Sequence, residues 1–211
     1  MKELDDSPMR KTKEDAALTR KRLLDAALES FHTNGYAATT LEDIARRAGI
    51  TRGAIQWHFG SKADLFNTLV RECYQRVATQ FQAIYTQGGT PLQALRRILL
   101  SWLTYPEQDA DFRSMLELTL LKTEVSPELA EGMQEKIQGN RASIQFFAGL
   151  IQQGIAVGEI RPDVRPEAAA TAALGIINGM TSLWLVDPTS FSLQSYAEDA
   201  VDLFLQGIAR V

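Results

Sequence analysis

The stretch TTLEDIARRAGITRGAIQWHFGSK, residues 40–62, decides how the rest of the chain is read. Thr40 is placed as an N-cap, with Asp43 three residues on as a short-armed capping box. Leu41, Ile44, Ala45 and Ala48 then recur at helical spacing and give a first short helix one apolar face. Gly49 can adopt the positive φ that ends such a helix in a sharp turn. Thr51 caps a second helix, in which Ile55 and Phe59 sit four apart and face inward, and Gly60 ends it. Thr51, Arg52, Gly53, Ala54, Gln56, Trp57 and His58 are left facing outward. They combine donors, a cation, small residues that allow close approach, and flat rings, the types a recognition helix needs in a major groove. Two short helices joined at a glycine also occur in many all-helical domains, so the pattern by itself leaves a purely structural reading open. The aromatic rings of Trp57 and His58, outside the core, favour the nucleic-acid reading.

Upstream, residues 16–33 form a helix with Leu24, Ala27, Leu28 and Phe31 on one face and Asn34-Gly35 as its stop. Residues 1–15 read as a loose arm whose Arg10, Lys11 and Lys13 are within reach of phosphates. Downstream, Ser61 and Asp64 make a fresh capping box that opens a long helix over 62–85, carrying Leu65, Leu69, Cys73 and Val77. Gly88-Gly89 breaks the chain, and Thr90-Pro91 opens a helix over 92–103 that Pro106 stops. Further helices follow over 110–122, from Ser126-Pro127 to 157, over 167–186 and over 193–209. No segment alternates with period two, so the chain is expected to be all-α, with about nine helices.

The net charge of −4 is wrong for a nucleic-acid binder until it is divided along the chain. Residues 1–62 carry +2 and the remainder −6, so only the N-terminal end suits phosphates. The lone cysteine, Cys73, rules out an intrachain disulfide and fits a reducing cytosol. With no charged-then-apolar leader, a cytoplasmic location is expected. Two histidines, His32 and His58, and one cysteine leave little to build an enzyme from. There is no zinc-ligand spacing and no phosphate-binding glycine loop, so no catalytic residues, metal or cofactor are expected.

Residues 168–186 contain no charged side chain, a length that could span a bilayer. The segment is rich in alanine, carries Thr171, Asn178, Thr181 and Ser182, and is flanked by acids, which argues for a helix buried on all sides in a soluble protein. Gly175 and Gly179, four apart, leave a smooth strip for another helix. Together with Trp184 and the last helix, through Tyr196, Val201 and Phe204, they suggest a four-helix interface between two copies of the chain.

The run TRKRLLDAALESFHTNGYAATTLEDIARRAGITRGAIQWHFGSKADLF, residues 19–66, closely resembles the DNA-binding domain of the TetR/AcrR family of transcriptional regulators. The segments RKTKEDA (10–16) and MTSLWLVDPTSFSL (180–193) are similar to the subgroup that represses multidrug efflux operons. The resemblance implies a DNA-binding domain over 16–61 and a ligand-binding and dimerisation domain over 62–211, with helix 62–85 connecting them. It implies an Ω-shaped, all-helical homodimer on a palindromic operator, released when a small hydrophobic or aromatic effector enters the second domain. The family's base and phosphate contacts fall on Thr51, Arg52, Gly53, Ala54, Gln56, Trp57 and His58. Lys62 matches its phosphate-anchoring lysine, and Thr40 caps the helix that crosses the backbone.

Gln56 departs from the subgroup's tyrosine: a phenol that donates to phosphate has become an amide that could also pair with an adenine edge. By the same resemblance the effector cavity would be lined by Cys73, Tyr74, Val77, Leu99, Trp102, Leu116, Leu120, Phe147, Leu174, Ile177, Asn178 and Thr181. Each of these is also what a core position looks like. Activation instead of repression, another target pathway, and a helical dimer that binds no DNA are the alternatives.

Overall fold

The computed structural model describes residues 8–122 and 127–210, and among these it contains nine α-helices. They are α1 (Pro8–Ala38), α2 (Leu41–Ala48), α3 (Arg52–Phe59), α4 (Lys62–Tyr85), α5 (Pro91–Gln108), α6 (Ala110–Glu117), α7 (Ala130–Ala156), α8 (Pro166–Val186) and α9 (Leu193–Ile208). A π-helical turn, Leu118–Lys122, continues α6, and a 3₁₀ turn, Pro127–Leu129, precedes α7. The described residues form no strand, only an isolated bridge between Ile160 and Ala209.

The ends of these helices follow from local chemistry. Thr40 and Asp43 form a reciprocal capping box: the Asp43 amide donates to Thr40 Oγ1 at 3.1 Å and the Thr40 amide to Asp43 Oδ2 at 3.1 Å. Gly49 sits at φ 64°, ψ 37°, and the amides of Gly49 and Ile50 return to the carbonyls of Arg46 (3.2 Å) and Ala45 (3.0 Å). This closes α2 as a Schellman turn. Ser61 and Asp64 cap α4 with the same reciprocity, at 3.0 and 3.1 Å.

Three boundaries differ from the sequence-based expectation. The arm is helical from Pro8 onward, because proline suits a first helical turn and residues 9–22 hold neither glycine nor proline. Residues 1–7 and the side chains of Arg10, Lys11 and Lys13 lie outside the described residues, as does the cap Ser126. Gly35, at φ 77° and ψ 165°, interrupts α1 where the stop was expected. Pro106 does not end α5: it lies inside the helix and is buried, because losing one amide in the last turn costs little there. The helix ends three residues later, with the Asp109 amide on the Tyr105 carbonyl at 3.0 Å.

The chain divides into two compact units, and the division falls inside α4, between Glu72 and Cys73. The first unit comprises α1 to α3, α4 as far as Glu72, and the described part of 114–129. Its core is Leu23, Phe31, Ile44, Ile55 and Leu65, all fully buried, with Phe31, Tyr36 and Phe66 in mutual ring contact at 5.0–5.6 Å. The π-helical turn packs on α1: His32 Nε2 and Glu117 Oε2 lie 2.6 Å apart, Lys122 Nζ donates to the His32 carbonyl at 2.9 Å, and Tyr36 Oη donates to Glu128 at 3.2 Å.

The second unit comprises the rest of α4, α5, the start of α6, and α7 to α9. Leu95, Ile98, Leu103, Phe147, Ile151, Ala173, Ile177 and Val201 build its core. Carboxylates remote in sequence cap its helices, satisfying amides that a helix start leaves open. Glu107 accepts from the amides of Leu193 (2.8 Å) and Gln194 (2.9 Å), and Glu159 accepts from that of Leu92 (3.1 Å).

Candidate nucleic-acid interface

α3 is held on its inner side by Ile55 and Phe59, both buried, and its start is set by Thr51, whose Oγ1 accepts from the Ala54 amide at 3.3 Å. The outward residues read from the sequence divide in two. Thr51, Arg52, Gly53, Gln56 and Trp57 are exposed, whereas Ala54 and His58 are half-buried. Trp57 is 76 % exposed, the highest value among the large apolar side chains, and its ring meets that of His58 edge-on at 4.5 Å. An indole left in water on a helix that is otherwise firmly seated is a surface awaiting a partner.

The cations around α3 are less available than their number suggests, since each Lys and Arg from Arg20 to Lys62 has a partner within the unit. Arg20 pairs with Glu72 at 2.5 Å and lies over the Phe59 ring, and Lys21 pairs with Asp25. Arg22 donates to the Ala48 carbonyl at 2.6 Å, closing α2 from α1. Arg46, Arg47 and Arg52 pair with Asp43, Glu29 and Glu42. The Arg46 and Arg52 pairs are exposed, worth little in water, and can be exchanged for phosphate or base contacts. Thr40 is exposed, with its hydroxyl engaged by Asp43 at 2.6 Å.

Lys62 is placed differently from an exposed phosphate anchor. Its ammonium donates to the carbonyls of Tyr36 (3.0 Å), Thr39 (3.0 Å) and Ala37 (3.4 Å), and it lies 4.4 Å from the centre of the Tyr36 ring. Sequence reading missed this seat, because nothing in the spacing of Lys62 and Tyr36 signals that they meet.

In the second unit, four residues expected around an effector come together: Leu99, Phe147 and Ile177 in the core, with Trp102 packed against it between the rings of Phe81 (4.7 Å) and Phe147 (5.8 Å). Cys73, Val77, Leu174 and Thr181 are buried, and Tyr74 is half-buried. Burial pushes the Cys73 thiol up to about 11, so it is a packed, neutral group at physiological pH. Leu116, buried, and Leu120, exposed, belong to the first unit.

Asn178 stands on the exposed side of α8, so the structure removes it from an internal cavity lining. α5, α8 and α9 enclose a small apolar pocket of about 180 Å³, partly open to solvent, among Leu99, Leu103, Ala173, Ile177, Val201 and Phe204.

The residues expected at a dimer interface also separate. Gly175, Gly179 and Tyr196 are exposed and Phe204 is half-buried. Trp184 and Val201 are buried within the unit, Trp184 beneath the Arg113 guanidinium at 5.6 Å, so neither is free to meet another chain. Two residues not singled out from the sequence, Leu183 and Val186, continue the exposed strip of Gly175 and Gly179, and Leu203 stands out on α9. The spacing 175, 179, 183, 186 is one helical face and was legible in principle. α8 is the one described helix long and apolar enough to cross a membrane, and well over half of its apolar stretch is left uncovered by its own chain.

Residues 23–69 match the bacterial regulatory proteins of the tetR family, and residues 90–209 match the C-terminal region of the MAATS-type transcriptional repressors. The chain is 33 % identical over 200 residues to the HTH-type transcriptional regulator AcrR of Shigella flexneri, covering 93 % of this chain and 92 % of AcrR. Its fold is similar to that of NalD, the secondary repressor of the MexAB-OprM multidrug efflux pump in Pseudomonas aeruginosa, with a TM-score of 0.81 and 30 % identity over 93 % of this chain and 98 % of NalD. It is also similar to SmeT in its complex with triclosan, with a TM-score of 0.77 and 27 % identity over 92 % of each chain. The chain belongs to the TetR family, whose members are DNA-binding transcriptional regulators and not enzymes.

Proposed function

We propose that this TetR-family regulator is a cytoplasmic homodimeric repressor of a multidrug efflux operon, released from a palindromic operator by a small hydrophobic or aromatic effector. The observation that carries the DNA side is α3 itself: a short helix locked by a threonine cap and two buried anchors, presenting Arg52, Gln56 and Trp57 to solvent on one face. Such a face fits a major groove, with Arg52 directed at guanine, Trp57 at a thymine methyl or sugar, and Gln56 able to grip the adenine edge with two hydrogen bonds. Thr51, Gly53, Ala54 and His58 complete the surface that approaches the backbone.

The dimer forms through the exposed strip of α8 (Gly175, Gly179, Leu183, Val186) with Leu203 and Tyr196 of α9. Its glycines admit a second helix closely, and its apolar side chains gain about 1.5–3 kcal/mol each on burial. A two-fold axis there imposes a palindromic operator. The effector enters the apolar core around Leu99, Trp102, Phe147 and Ile177, where aromatic walls suit flat greasy molecules. α4 is one continuous helix whose two ends lie in different units, so a change in the second unit has a covalent path to the first. An effector releases the operator only in so far as it binds the released conformation more tightly.

The test is selection of bound duplexes from a random DNA pool, repeated with triclosan and cationic dyes present. The reading expects one enriched palindrome whose affinity falls steeply with salt and that at least one compound releases. Recovery of no sequence preference and no salt dependence would reject it in favour of a helical dimer that binds no DNA. Repeating the selection with Gln56→Tyr sharpens the interface: an unchanged palindrome removes Gln56 from base reading.

A further inference from the structure

We infer that Lys62 acts as a positioning residue that pins the first turn of α4 to the corner between α1 and α2, and that it supports operator binding through that corner and not by holding a phosphate. The inference rests on the DNA-binding function proposed above. Lys62 opens α4, and its ammonium has three protons to give. Three acceptors converge on it, the carbonyls of Tyr36 and Thr39 at 3.0 Å and that of Ala37 at 3.4 Å. These lie just past the break at Gly35, where the end of α1 leaves carbonyls without helical partners and favours a cation.

A ring closes the seat from a further side: the ammonium stands 4.4 Å from the centre of Tyr36, a side chain that is itself buried. Phe66, one turn further along α4, meets the same Tyr36 ring edge-on at 5.0 Å. The first turn of α4 therefore holds the corner twice, once by charge and once by an aromatic contact. Thr39 is buried, its hydroxyl donating to the carbonyls of Gly35 (2.7 Å) and Ser30 (3.1 Å), so the corner is not free to adjust. The next residue, Thr40, is the N-cap of α2. A shift at the start of α4 is delivered through this seat to the cap of α2, and through the Gly49 turn to α3. Moving the ammonium to a phosphate would empty all three carbonyls at once. The exposed cations Arg46 and Arg52 have only surface ion pairs to give up.

The experiment is a titration of the selected operator duplex with the full-length protein, its Lys62→Gln variant and its Lys62→Arg variant over a series of salt concentrations. Titrations run below the melting transition of each, with circular dichroism confirming the fold. Gln removes the charge; Arg keeps it but offers a planar fork where three carbonyls converge on a compact ammonium. Both variants are expected to bind about tenfold more weakly, the equivalent of one lost charge-assisted hydrogen bond, with the slope of log K against log salt unchanged. Tyr36→Leu, which removes the ring and no charge, is expected to weaken binding with the same unchanged slope, and it carries the test if a Lys62 variant does not fold.

A slope shallower by about 0.9 per subunit in Lys62→Gln, with affinity kept in Lys62→Arg, identifies a phosphate anchor and overturns the inference. Unchanged affinity in both Lys62 variants overturns it as well. Failure of the unmodified protein to bind any duplex would count instead against the DNA-binding function.

Discussion

Arg52, Gln56 and Trp57 in the first unit stand in solvent on a helix fixed from behind, whereas Leu99, Phe147 and Ile177 in the second unit are wrapped in their own core. A binding face for a large polar partner has to break the rule that apolar side chains turn inward, and it is visible because it breaks it. A binding cavity for a small apolar molecule has to obey that rule, and its lining is composed like any other packed interior. The strip on α8 and α9 sits between the two cases: apolar like a core, yet exposed within the single chain. Chemistry on the outside of a protein therefore leaves a clearer trace in sequence and structure than chemistry kept within.

The sharpest way to break this contrast is to cut an equal hole in each unit. Phe31→Ala and Phe147→Ala each remove a fully buried ring and are expected to cost about 3–5 kcal/mol in chemical denaturation. Phe31→Ala should also abolish operator binding, because Phe31 supports Tyr36 and Phe66, while Phe147→Ala should keep it under conditions where the variant stays folded. Equal loss of operator affinity in both would show that the units do not divide the labour. Next in size is Leu203→Glu, expected to withdraw on the order of 2–3 kcal/mol of apolar burial per subunit and to yield monomers in equilibrium sedimentation. A dimer that survives it would place the subunit contact elsewhere.

Arg52→Ala is expected to lose about 1–3 kcal/mol of operator affinity at fixed salt with almost no change in melting temperature. Unchanged affinity would remove Arg52 from base reading and leave its pair with Glu42 as its only role. Thr40→Ala should cost about 1 kcal/mol of stability through the lost cap on α2, read as a lower denaturation midpoint.

The smallest effect at neutral pH concerns Tyr36 and Tyr105, one in each unit. Burial first, and then a neighbouring carboxylate, Glu128 or Asp109, pushes both phenols up to about 12. The folded state thus favours the neutral phenol. That stability is intact below pH 10, where an unfolded tyrosine begins to ionise, and is lost as pH rises towards 12. Tyr36→Phe should flatten part of the decline over this window, and a decline of the same steepness in that variant would refute the assignment.

Much of the first unit was legible along the chain because its decisions are local. Thr40 with Asp43, Gly49, Thr51 and Ser61 with Asp64 each act within a few residues, and their caps and turns form where the spacing places them. Pro106 misled because the rule against proline in a helix prices one lost amide, and in the last turn of α5 that loss is small. Asn178 and Trp184 misled for another reason. On a helix apolar nearly all round, the sequence carries no phase, so nothing in it tells which side meets the core.

By itself the sequence determined the all-helical class, the helix-turn-helix with its capped ends, the confinement of positive charge to the N-terminal end, and the family. These rest on nearest-neighbour chemistry and on periodicity, both of which are complete within a short window. Only the tertiary structure decided that Lys62 closes on the corner of Tyr36 to Thr39, that Arg113 covers Trp184, and that Leu183, Val186 and Leu203 are left bare. Each depends on residues far apart in the chain meeting in space. Burial is a property of the assembled neighbours, and the side chain alone does not specify it.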